Sequence, residues 1–91
     1  MNEELLLAAV HTDLGIASKA FDERLLARIR TAQARIADEG ITLADTEEDR
    51  DLVVMYACYL WRERATGADM PRMLRYALNN RLFSRKAAGE G

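Results

Sequence analysis

Apolar positions along the chain fall into four groups separated by polar or glycine-marked breaks, and three of the groups repeat at helical spacing. In the first, Leu6, Val10 and Leu14 share one face, Asn2 is placed to cap, and Glu3 and Glu4 occupy the turn where the helix dipole favours anions. Gly15 supplies a left-handed stop, and residues 15–20 read as a short loop. In the second, Leu25, Ile29, Ala32 and Ile36 recur at intervals of four, three and four, which makes one buried stripe. Asp22 reads as its cap, Phe21 as a staple onto Leu26, and Gly40 as its end, with Ile41 folding back onto Ile36.

The third group has no period at all. Leu52 to Trp61 are ten consecutive apolar or aromatic residues, nearly three helical turns that would be greasy on every side. The run is about half the length that spans a bilayer and has charges at both ends, so no membrane crossing is expected. Such a helix is either the axis of a bundle, wrapped by the other elements, or shared between its own fold and a partner. Tyr59 and Trp61 are more often core, yet their polar tips also suit a subunit contact. Thr46 with Asp49 fits a capping box that opens this helix, which runs to Thr66 before Gly67. Asp69-Met70-Pro71 then starts a fourth helix, whose apolar side is Met70, Leu74, Ala77, Leu78 and Leu82, with Met73 and Phe83 at its edges. Residues 87–91 are expected to fray. With no strand alternation of useful length, the expectation is an all-α single domain over residues 1–91: a compact bundle of about four helices around the hydrophobic third.

Composition sharpens this only in places. Ninety-one residues, 49% of them hydrophobic, allow one core and a stability of about 5–13 kcal/mol. The single cysteine, Cys58, excludes an internal disulfide and fits a reducing compartment. Met1-Asn2-Glu3-Glu4 lacks the basic leading region of a secretory signal, so no signal peptide is expected.

Charge is more informative. The net charge of −2 conceals a front half, residues 1–51, with 12 acidic and 6 basic side chains, net −6. Residues 52–91 carry 3 acidic and 7 basic side chains, net +4, and all charges from Pro71 to Ala88 are basic. Such a chain can attract a copy of itself head to tail or an acidic partner, although two solvated surfaces of unequal charge explain it equally well. Asp38 and Glu39 sit at the end of the second helix that the dipole disfavours, with an external cation as one reason for them.

Candidate chemistry is sparse. One histidine, His11, and one cysteine, Cys58, lie on different helices, and no metal-ligand spacing, phosphate-cradling loop or nucleophile elbow is present. No enzyme activity, metal or cofactor is expected, and His11 reads as structural. The basic fourth helix, with Arg72, Arg75, Arg81, Arg85 and Lys86 beside Asn79 and Asn80, has the residues to meet phosphates or an acidic protein. Its start, Met70 to Leu74, reads as packing rather than as a recognition helix, and the pI of 5.4 argues against an autonomous nucleic-acid binder.

Several stretches together resemble a known family. Glu-Glu-Leu-Leu is followed by Leu-Gly-Ile, then Phe-Asp-Glu-Arg-Leu-Leu and Ala-Arg-Ile-Ala-Asp-Glu-Gly-Ile. Asp-Arg-Asp-Leu-Val-Val-Met-Tyr-Ala-Cys-Tyr-Leu-Trp-Arg-Glu-Arg leads to the most particular segment, Met-Pro-Arg-Met-Leu-Arg-Tyr-Ala-Leu-Asn-Asn-Arg-Leu-Phe. From about Glu3 to Lys86 the chain resembles the small head–tail connector (adaptor) proteins of tailed phages and prophages. The resemblance implies a helical subunit that assembles as a ring, typically of twelve copies, under the portal protein. Such a ring extends the DNA exit channel and receives a stopper or tail-completion protein. It implies a place at the head–tail junction of the virion, and in the host cytoplasm before assembly. On this reading Arg72, Arg75, Arg81, Arg85 and Lys86 are the candidates for contacts to portal, neighbouring subunit or channel DNA. Tyr59, Trp61, Asp45, Glu47, Glu48, Asp49 and Asp51 are the candidates for the subunit interface. The alternative is a small helical regulatory or DNA-associated protein.

Overall fold

A computed structural model describes residues 1–67 and 69–90, with backbone alone for 64–66 and 84–90. Four helices follow one another: α1 (Glu3–Leu14), α2 (Asp22–Asp38), α3 (Glu47–Thr66) and α4 (Arg72–Glu90), with a single 3-10 turn at Lys19–Phe21 before α2. Among the described residues there is no strand, and the fold is a compact all-helical bundle, 46 × 28 × 18 Å.

The core forms where the periodicity puts it. Leu25, Ile29, Ala32 and Ile36 of α2 are fully buried, as are Leu6 and Val10 of α1 and Leu74 and Leu78 of α4. α3 is the axis. Seven of its ten central apolar residues are buried, while Met55, Tyr59 and Trp61 are partly covered. α1 and α2 pack on each other and on α3, whereas α4 rests mainly on α3. At about 1.5–3 kcal/mol per fully buried large aliphatic side chain, the α2 stripe is among the strongest single contributions to stability.

The helix ends follow local chemistry, with three departures from expectation. Asn2 accepts from the Glu4 and Leu5 amides, and Gly15, at φ 70°, closes α1 in the left-handed conformation that a β-carbon would strain. Asp22 does not cap α2. It is the first helical residue, the 3-10 turn before it is capped by Ser18, and its carboxylate is engaged by His11. Phe21 turns to Trp61, edge to face at 5.8 Å between ring centres. Pro71 lies just ahead of α4 rather than in its first turn, its carbonyl accepting the Arg75 amide. α4 runs to Glu90.

Candidate interaction surfaces

The charged residues expected at partner contacts separate into those held within the chain and those facing outward. Asp49 belongs to the first kind and corrects the expectation that it faces a neighbour: it is 1% exposed. The Thr46 hydroxyl accepts the Asp49 amide at 3.2 Å, which is half of the predicted capping box. The other half is displaced, because the Asp49 carboxylate accepts the Ala44 amide at 2.7 Å and the Arg81 guanidinium in a two-pronged pair, 2.7 and 3.1 Å. The Arg81 hydrogen bond holds the Asp49 carboxyl below the usual carboxylate range, against the opposing effect of burial. Arg81 also donates to the Thr42 carbonyl at 3.0 Å.

Arg81 therefore ties α4 to the α2–α3 loop and to the start of α3. Arg75, six residues earlier, ties α4 to the end of α2, donating to Glu39 at 2.9 Å. That pair gives Glu39 an intramolecular partner in place of the external cation considered for it. Gly40 sits between these ties, with space for a β-carbon 3.6 Å from Leu82 of α4. Asp45 is paired with Arg50 at 2.9 Å. Glu47, Glu48, Asp51 and Arg72 are exposed, and the side chains of Arg85 and Lys86 lie outside the described residues.

Tyr59 and Trp61 are half-buried. Tyr59 meets Tyr56 edge-on at 6.0 Å, and it lines a cleft of about 400 Å³ with Met55, Cys58, Pro71, Met73 and Leu74. Cys58 is 3% exposed, and burial pushes its thiol up to about 11, so at neutral pH it is not a thiolate nucleophile.

His11 is bound at both ring nitrogens, Nδ1 2.7 Å from the Ile16 carbonyl and Nε2 2.6 Å from the Asp22 carboxylate. A carbonyl and a carboxylate both only accept, so the ring satisfies both as an imidazolium. The bond to Ile16, then that to Asp22, raises its pKa. With both nitrogens so engaged, His11 clips α1, the following loop and α2 together. No group of three or more His, Cys, Asp or Glu suited to a metal ion occurs among the described residues. No described helix is long and apolar enough to cross a membrane.

The feature that sequence reasoning missed is the outer face of α4. Met73, Tyr76 and Phe83 are 77%, 69% and 74% exposed, and they lie with Asn80 at spacings of three, four and three on the side opposite Leu74 and Leu78. α4 thus has two apolar faces, one docked and one open. The signal was present, since those positions share a helical face, but Met73 and Phe83 read as edges of the inner stripe and Tyr76 was not singled out. Comparison of the chain with protein-family models, with curated proteins and with solved structures finds no match.

Proposed function

We propose that this chain is a structural subunit of an assembly, a head–tail connector protein that forms a ring beneath a phage portal and extends the DNA exit channel. The observation that carries the assembly role is the open face of α4. A helix already docked through Leu74 and Leu78 exposes Met73, Tyr76 and Phe83 on its other side. Large apolar side chains grouped on one solvent-facing stripe mark a contact surface. The connector identity comes from the sequence resemblance, and portal, stopper and channel DNA are the partners it brings.

Two features support a contact role rather than a chemical one. Cys58 is buried and protonated at neutral pH, and His11 has both nitrogens engaged in holding α1 to α2. The DNA-associated alternative relied on the five cations of the fourth helix, of which Arg75 and Arg81 are paired within the chain.

Electron microscopy of the concentrated protein, alone and mixed with a portal protein encoded beside it, tests the proposal. Rings, or a collar of added density on the portal, are expected. Absence of rings in both samples together with no binding to the portal overturns it, as does a gene neighbourhood without capsid, portal or tail genes.

A further inference from the structure

The geometry points to a specific pairing between copies: the open stripe of α4 receives the outer face of α1 from the next subunit. This inference rests on the assembly role proposed above and names the surface that the stripe meets.

Five large apolar side chains are exposed among the described residues: Leu5, Phe21, Met73, Tyr76 and Phe83. Phe21, the least exposed of them, already packs against Trp61. Three of the other four form the α4 stripe, and the fourth, Leu5, is 59% exposed on α1, facing away from the buried Leu6 and Val10. An apolar stripe on α4 and a different exposed surface on α1, Leu5 beside Ala8, suit a heterologous contact, in which one patch meets a different one and the next copy can repeat it.

Shape and charge fit the same match. Leu5, Ala8 and Thr12 lie at spacings of three and four, as Met73, Tyr76 and Asn80 do, so small side chains on α1 face large ones on α4. A ridge of Met and Tyr seats in a groove floored by Ala and Thr. Glu4 flanks the α1 face and Arg72 flanks the α4 face, both exposed and neither in an ion pair among the described residues. Glu3 is held by Arg30 and Arg75 by Glu39, which leaves Glu4 and Arg72 for each other across the contact. The match also explains why the partner is not the same helix of another copy. Two α4 stripes face to face bring Arg72, the described α4 cation without an ion pair, against the Arg72 of the other copy, with no acid among the described side chains of α4 to meet it.

Cross-linking tests it, because the native Cys58 is buried and does not compete. Leu5→Cys and Tyr76→Cys proteins are prepared separately, mixed at high concentration and oxidised. The mixed disulfide is expected to exceed either homodimer by about tenfold. In the same assay Glu4→Arg lowers the mixed product and adding Arg72→Glu on the Tyr76→Cys partner restores it. Equal yields of mixed and homodimeric products, or no rescue by the second charge reversal, overturn the pairing. Sedimentation of the wild-type chain reports separately on self-assembly. Oligomers without the mixed disulfide remove the α1–α4 contact and leave the assembly role standing, whereas a chain that neither assembles nor cross-links, with portal present or absent, removes both.

Discussion

Replacing Arg81 by Met leaves a carboxylate with nowhere to go. Asp49 is 1% exposed, and its counter-charge is the Arg81 guanidinium, bound through both oxygens at 2.7 and 3.1 Å. Methionine keeps much of the aliphatic stem of arginine, so the loss is chiefly electrostatic. Removing one partner of a buried ion pair costs about 3–5 kcal/mol, because the other is left desolvated and unpaired. Arg81 is itself 17% exposed, which lets water reach the site and places the expected cost near the lower end, about 3 kcal/mol. For a chain whose whole stability is about 5–13 kcal/mol, that is a large share. With a urea slope of about 1 kcal/mol/M, the unfolding midpoint falls by about 3 M, measured by circular dichroism at 222 nm and Trp61 fluorescence.

The pH dependence gives the same reasoning a sign. Arg81 depresses the folded-state pKa of Asp49, so the pair's stabilisation is complete above the unfolded carboxyl value of about 3.9 and is lost as pH falls through the folded value. The gap between wild type and Arg81→Met therefore narrows in acid. Asp49→Asn in the Arg81→Met background removes the stranded charge while keeping an acceptor for the Ala44 amide, and it raises stability at neutral pH. A loss below about 1 kcal/mol, a gap independent of pH, or further destabilisation by the asparagine refutes the account.

Two further outcomes follow from the core and from the histidine clip. Ile29→Ala, at a fully buried position of the α2 stripe, lowers stability by about 2–5 kcal/mol in the same urea titration without changing the helical spectrum of the folded state. His11 has a raised folded-state pKa, so its contribution is fully present below the unfolded value of about 6.5 and is lost as pH rises through the folded value. His11→Gln flattens that part of the stability profile, and NMR titration of the imidazole reads the raised pKa directly.

The bundle was legible because burial follows period. The α2 stripe, the Leu74 and Leu78 pair and the greasy third helix each announce their role by spacing or by length alone. Partnerships across the chain were not legible. Asp22 looks like a cap because an acid before an apolar stripe usually is one, and nothing local signals that His11 reaches it from eleven residues away. Asp49 fits a capping box and Arg81 fits a basic surface, yet the fold places them against each other thirty-two positions apart. The open face of α4 was hidden for a different reason. A helix with apolar residues on both sides reads as one broad stripe until the structure shows which side is docked.

Cys58 makes the chain its own reporter. The thiol sits at 3% exposure under the start of α4, at the floor of the cleft lined by Met73 and Leu74, and its burial and high pKa keep it unreactive while α4 stays docked. A thiol reagent therefore records only those molecules in which this corner of the bundle has opened, and the labelling rate measures the free energy of that opening. Since α4 carries both the tie to the loop after α2 and the open stripe, slower labelling in the assembled state would time the moment at which a neighbour clamps the helix in place.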